Sequence, residues 1–169
     1  MNPSPLPTAE QTREFPWEKL SWLIVNEGEA RDLLTSVGDP QTVDVIELVL
    51  LSEGTPEDKA VVCSAHAIGS KLANHPTFKD VDIVCTLGSV GLVAFVSLTQ
   101  GGKKAFYLPS ARLDGPVVDT TGAGDCFTGY FVSGLMGLKQ GHEEDLLDIL
   151  NKSIKVRPSG ISQYRILTS

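Results

Sequence analysis

The run from Val117 to Phe131, Val-Val-Asp-Thr-Thr-Gly-Ala-Gly-Asp-Cys-Phe-Thr-Gly-Tyr-Phe, constrains the fold more than any other stretch of the chain. It puts a strand end, a turn of small residues and a helix start in direct succession. Pro116, Val117 and Val118 favour extended backbone, while Thr120, Thr121, Gly122, Ala123 and Gly124 let a main chain come close to a ligand. From Phe127 onward the apolar residues recur at Tyr130, Phe131, Gly134, Leu135 and Leu138, a helical period. The first turn of such a helix has unpaired N–H groups and the positive end of the dipole, so it accepts an anion. Asp125 places one carboxylate beside that cradle of Gly122, Ala123 and Gly124.

Two commoner glycine-rich turns are excluded by single residues. Gly124 and Gly129 have the spacing of a P-loop, but Tyr130 and Phe131 stand where Lys and Ser or Thr are required. A dinucleotide fingerprint beginning at Gly122 needs a third small residue where Phe127 stands, and its ring blocks close helix–strand packing. On the residues alone two readings remain: an anion site with a working carboxylate, or a helix whose first-turn acid, Asp125, complements the dipole.

Asp119-Thr-Thr-Gly-Ala-Gly-Asp125 followed by Cys126-Phe127 resembles the C-terminal signature of the ribokinase (PfkB-type) family of carbohydrate kinases. The resemblance implies that Gly122, Ala123 and Gly124 hold the transferred phosphoryl group. It also implies that Asp125 is the base that takes the proton of the sugar hydroxyl.

The remaining motifs follow the chain. Residues 1–16 contain Pro3, Pro5, Pro7 and Pro16, so they read as an irregular lead-in with at most a short helix from Thr8 to Phe15. Asn2-Pro3-Ser4-Pro5 resembles a family segment that follows a strand, which implies that Met1 starts at the end of one. Trp22 to Val25 is an apolar, β-branched run suited to a strand buried on both faces. At its end, Asn26-Glu27-Gly28-Glu29 reads as an Asn cap with acids in the first turn of a helix through Ala30, Leu33 and Leu34. The same residues stand where open α/β sheets bind ligands. Asn26-x-x-Glu29 is similar to the family's Asn-x-x-Glu motif, which implies that Asn26 and Glu29 organise a shell of Mg2+, water and phosphate, with Glu27 a bystander.

Thr42 to Leu51 reads as a short helix, and the break at Gly54-Thr55-Pro56 introduces a longer one through Ala60, Val61, Ser64, Ala65, Ile68 and Leu72. Val81 to Leu87, the turn Gly88-Ser89-Val90-Gly91 and Leu92 to Leu98 read as strand, tight turn, strand, with another strand from Lys104 to Leu108. Lys103 and Lys104 read as solvated charges. Thr86-Leu-Gly88-Ser89-x-Gly91 resembles the family's nucleotide turn, which implies that Thr86, Gly88 and Gly91 line ATP. A final helix runs from about Glu143 to Val156 and stops at Arg157-Pro158-Ser159-Gly160. In the family the loop after this helix joins the Asp-Thr-Thr segment in binding K+ through carbonyls. Here that implies Asp119, Thr121, Pro158 and Gly160 as ligands, although Pro158 and Tyr164 depart from the family's usual small residues.

Composition narrows the class. The chain has 169 residues, 41% hydrophobic and 21% charged, enough for one core, and its net charge of −7 disfavours a nucleic-acid partner. Cys63, Cys85 and Cys126 are odd in number and lie in apolar segments, so they read as reduced core thiols rather than a disulfide framework or, with His66, a zinc site. His75 and His142 read as loop and helix-start residues, not as site residues. With no basic start and no apolar span, the chain reads as soluble and cytosolic, a nuclear share being compatible with the same features.

The fold expected is α/β: a mainly parallel, ribokinase-like sheet covered by helices, with residues 1–169 forming the C-terminal, ATP-binding part and lacking the N-terminal half and lid. The function the resemblance implies is ATP-dependent phosphorylation of D-ribose to ribose 5-phosphate, supported by Mg2+ and K+, with the isolated chain inactive. The alternatives are a non-catalytic nucleotide-binding fragment and a kinase for another sugar or nucleoside. An exposed sheet edge on such a half gives it a route to self-association or to a homodimer.

Overall fold

The apolar runs form the strands, and their partners in space decide the topology. The computed structural model describes residues 1–50, 56–98, 101–110, 122–137 and 143–155. Its strands are β1 (Trp22–Asn26), β2 (Leu48–Leu50), β3 (Asp82–Thr86), β4 (Gly91–Ser97) and β5 (Lys103–Pro109). They form one sheet in the order β1-β3-β4-β5-β2. The pairs β1–β3 and β2–β5 are parallel, whereas both pairings of β4 are antiparallel, so four strands share a direction and β4 alone opposes them. The reversal has a local cause. Gly88 to Val90 is one tight 3-10 turn, far too short for the crossover that a parallel connection needs. The expected α/β class and mainly parallel sheet stand.

The helices are α1 (Ala9–Glu14), α2 (Glu27–Val37), α3 (Pro56–Asn74), α4 (Ala123–Gly137) and α5 (Glu143–Ile154). Contacts divide the chain into two units, Met1–Ser110 and Ala111–Ser169.

In the first unit, α2 and α3 cover one face of the sheet. Ala30, Leu33 and Leu34 from α2 and Val62, Ala65, Leu72 and Ala73 from α3 join Leu23, Val25, Ile83, Cys85, Val93, Phe95 and Tyr107 in one buried cluster. The strands' other residues, among them Ile24, Val84, Leu92, Ala94 and Phe106, are buried as well, which explains why the runs read as continuously apolar. The lead-in is more ordered than its prolines suggest. Thr8 caps α1 through a capping box with Gln11, and Trp17 packs between the rings of Phe15 and Phe78 at 4.7 and 4.9 Å. Met1 lies against the outer edge of β1: its ammonium donates to Trp22 O at 2.7 Å and its carbonyl accepts from Ile24 N at 2.8 Å. These are the bonds of a parallel neighbour.

The structure departs from three sequence expectations. Thr42 to Leu50 is not helical: residues 42–47 are irregular and Leu48–Leu50 pairs with Ala105–Tyr107 of β5. The β-branched Val43, Val45, Ile46 and Val49 suit that extended path, which α3 pins from the side. Asn74 Nδ2 donates to Asp44 O at 3.1 Å, and the His66 ring lies 2.9 Å from Ile46 O. Cys63 is exposed rather than a core thiol, because it lies on the outer face of α3; Cys85 is buried. Lys103 is not a solvated charge. Its ammonium donates to Phe78 O at 3.0 Å and Val81 O at 2.5 Å, next to Asp82, whose Oδ1 accepts from Ser97 N and Oγ at 2.8 Å each. Burial raises the Asp82 carboxyl and lowers the Lys103 ammonium from their ordinary values.

In the second unit, α4 and α5 pack together, with Phe127 stacked on Phe131 at 5.8 Å and Phe131, Leu146 and Leu150 buried. A Cβ on Gly134 would meet Ile149 at 2.6 Å, so the two helices approach closely there.

Candidate functional site

Asn26, Thr86 and Gly91 all come to one edge of the sheet. Asn26 ends β1 and is in register with Thr86 at the end of β3; Thr86 in turn faces Leu92, one residue into β4 after Gly91. This is the C-terminal edge of the strands that share a direction, the side on which open α/β sheets bind ligands. Thr86 Oγ1 donates to Val25 O at 3.4 Å, which draws β3 to β1 at this end.

The α2 start is fixed by its own side chains. Asn26 Oδ1 accepts from Glu29 N at 2.8 Å, and Glu29 Oε2 accepts from Asn26 N at 2.9 Å, a reciprocal capping box. The Asn cap read from the sequence is therefore present, and the carboxylate of Glu29 is folded back onto it. Glu27 is held from outside: its Oε1 accepts from Arg31 Nη2 and from Ser64 Oγ of α3, each at 2.9 Å. The two acids act on what lies beneath them. Cys85, one residue before Thr86, is pushed up to about 12 by burial, and the charges of Glu27 and Glu29 add to the shift. Cys85 is thus a thiol at neutral pH and no nucleophile.

The Gly88–Gly91 turn favours glycine at both ends. Gly88 has φ +58° and Gly91 has φ +129°. At Gly91 space is decisive as well: a Cβ would collide with Leu108 O and come within 2.9 Å of Pro109 Cα and Ser110 N. Leu87 N donates to Gly91 O at 2.8 Å, closing the base of the turn, and Tyr107 Oη donates to Val90 O at 2.9 Å. Ser110 Oγ donates to Ser89 O. The sequence reading passed over Tyr107 and Ser110, since nothing local marks a residue of one strand as the partner of a turn some twenty residues earlier.

In the second unit, α4 begins at Ala123, behind Gly122 at φ +76°. Ala123, Gly124 and Asp125 are exposed in its first turn, and a Cβ placed on Gly122 or Gly124 meets nothing within 4 Å. Cys126 N donates to Gly122 O at 2.9 Å, so the helix is hydrogen-bonded from its first turn. Its first N–H groups have no partner inside the helix, which is what an anion cradle requires. Asp119, Thr121, Pro158 and Gly160, the residues expected to bind K+, and His142 lie outside the described residues.

Among the described residues no three His, Cys, Asp or Glu side chains gather at metal-binding distance. A groove of about 630 Å³ runs between α2 and α3, lined by Arg31, Thr35, Ser64 and Lys71, among others. It follows the helices rather than the strand ends, and its two cations are already paired, Arg31 with Glu27 and Lys71 with Asp39.

No protein-family model matches the chain. Among solved structures, a ribokinase from Cryptococcus neoformans var. grubii serotype A, in complex with ADP, is 43% identical to it over 90% of its length, with a TM-score of 0.70. The chain belongs to the ribokinase (PfkB-type) family. It spans 41% of that ribokinase's length. An aminoimidazole riboside kinase from Salmonella enterica, complexed with aminoimidazole riboside and an ATP analog, is 19% identical at a TM-score of 0.36, a likeness too slight to carry an argument. The fold is ribokinase-like, and the residues to which the resemblance assigns roles fall into two groups. Asn26, Glu29, Thr86, Gly88 and Gly91 meet at the strand ends of the first unit, whereas Gly122, Ala123, Gly124 and Asp125 open α4 of the second.

Proposed function

We propose that the chain is the nucleotide-binding and base-carrying part of an ATP-dependent ribose kinase, which forms ribose 5-phosphate. The observation that carries this reading is the 43% identity to a ribokinase solved with ADP, combined with the open glycine start of α4 bearing Asp125. In this reading Thr86, Gly88 and Gly91 line the nucleotide. The first-turn N–H groups from Gly122 to Gly124 take up charge on the transferring phosphoryl group, and Asp125 accepts the proton of the ribose 5-hydroxyl.

ATP supplies the phosphoryl group, and Mg2+ offsets its charge. The site calls for such a cation, since Glu27 and Glu29 would otherwise repel a triphosphate at the strand ends. With Glu29 committed to its cap, Asn26 and Glu29 would hold the ion through water, as Mg2+, which dehydrates reluctantly, allows. K+ would be held by Asp119, Thr121, Pro158 and Gly160; equal rates in sodium and potassium at matched ionic strength would remove it from the scheme.

Catalysis here is positioning and electrostatics, so a chain without the remainder of the kinase binds nucleotide and does not turn over ribose. The test uses the purified chain, alone and co-expressed with the part of the Cryptococcus ribokinase that the match leaves out. The chain alone should bind ADP with no ribose-dependent ADP release; the pair should release ADP with ribose. Turnover by the chain alone defeats the need for a second part. Turnover by the pair with another sugar or nucleoside and not with ribose changes the substrate, and failure to bind ADP defeats the nucleotide assignment.

A further inference from the structure

We propose that Tyr107 and Ser110 are positioning residues for the nucleotide turn, holding Gly88 to Gly91 in its ligand-ready shape from the end of β5; this rests on the reading that the turn lines a nucleotide. The turn is intrinsically soft. It contains two glycines at positive φ, and none of its residues from Gly88 to Val90 is buried. The bonds within the hairpin, Leu87 N to Gly91 O at 2.8 Å and Val90 N to Leu87 O at 3.1 Å, close its base. Its tip is held from β5. The Ser89 carbonyl accepts from Ser110 Oγ, and the Val90 carbonyl accepts from Tyr107 Oη at 2.9 Å and from Ser110 N at 3.4 Å.

Tyr107 suits this task because its ring is packed in the core. It is 2% exposed, belongs to the core cluster, and is in register with Val93 on β4, two residues beyond Gly91. The hydroxyl reaches out of that core to the turn, so the rigidity of the sheet is transferred to a segment with no buried side chain of its own. Gly91 makes the reach short, because β5 lies where any Cβ would be. A turn ordered before the ligand arrives loses less conformational freedom on binding, and the gain appears as affinity.

The experiment titrates the chain with ADP by calorimetry, at a temperature where circular dichroism shows every variant fully folded. Tyr107→Phe deletes only the hydroxyl, Ser110→Ala removes the second donor, and Ser110→Thr restores it. Tyr107→Phe and Ser110→Ala should each weaken ADP binding about 3- to 10-fold, the worth of one hydrogen bond, and Ser110→Thr should recover most of the loss. Amide exchange at residues 87–91 should quicken in Tyr107→Phe, with β1 and β3 unchanged, a local signature that a loss of global stability does not give. If the wild-type chain binds ADP and both deletions bind it equally well, the positioning role is overturned and the nucleotide site stands. If the wild-type chain does not bind ADP, the nucleotide reading itself fails and takes this proposal with it.

Discussion

The two helices whose starts carry family motifs begin in opposite ways. At α2, Asn26 and Glu29 close a capping box, so side chains of the protein satisfy both the helix end and the strand's last N–H. At α4, Gly122 precedes the helix, Gly124 follows within its first turn, and neither has a side chain to cap with. One helix start is closed by its own side chains; the other opens on glycines that supply none. Under the proposed function the second receives the transferring anion, while the first serves as a rigid wall carrying charge.

That contrast can be broken most severely at Asp125. In the co-expressed pair, Asp125→Asn should leave ADP affinity nearly unchanged and reduce turnover by about 10²–10⁴, the usual worth of a general base. Near-normal turnover would reduce Asp125 to an acid that merely complements the dipole. A finer break is Gly124→Ala. Its Cβ has open space, and alanine favours the helix by about 0.5–1 kcal/mol, so the folded chain should be no less stable in urea. The methyl group would nevertheless fill the cradle and displace the phosphoryl group, with a loss of about 10² in turnover. An active Gly124→Ala enzyme would show that the opening receives no anion.

The mirror experiment is Asn26→Ala, which should cost about 1 kcal/mol of stability in urea unfolding, the usual worth of a cap. An unchanged midpoint would mean that the capping box contributes nothing and that the two helix starts are alike. The smallest effect comes from the opposite end of the sheet and sets the background for the others. Burial raises the Asp82 carboxyl above 3.8, so the folded protein binds that proton more tightly than the unfolded chain. Stability from this group is therefore highest in acid and falls as pH rises from 3.8 through the folded value. Asp82→Asn, which keeps an oxygen for Ser97, should flatten that slope in urea titrations across the acid range, and an unaltered slope would place its origin elsewhere.

Strands β1, β3, β4 and β5 were legible in the sequence because each is an apolar run ended by polar or glycine residues, and the Asn cap of α2 was legible because its partners are three residues apart. β2 was not. Whether Leu48–Leu50 extends or coils depends on β5, more than fifty residues further along the chain, so local periodicity had nothing to read. Lys103 misled for the same reason: a lysine after a glycine turn looks solvated until the carbonyls of Phe78 and Val81 fold over it. The candidate site divides likewise. Its glycines and acids announce themselves by motif, while Tyr107 and Ser110, which support the turn from a neighbouring strand, leave no local trace.

Gly91 has a consequence for directed evolution of this protein. The atoms facing it belong to backbone, Pro109 Cα and Ser110 N among them, and no choice of neighbouring side chain can move them aside. A saturation library at position 91 should therefore return a single survivor, and screening second-site suppressors in the core should not rescue the rest. Gly88, where a Cβ would meet nothing within 4 Å, differs: there the penalty is its φ of +58°, and asparagine or aspartate, which tolerate that conformation, should reappear among the survivors.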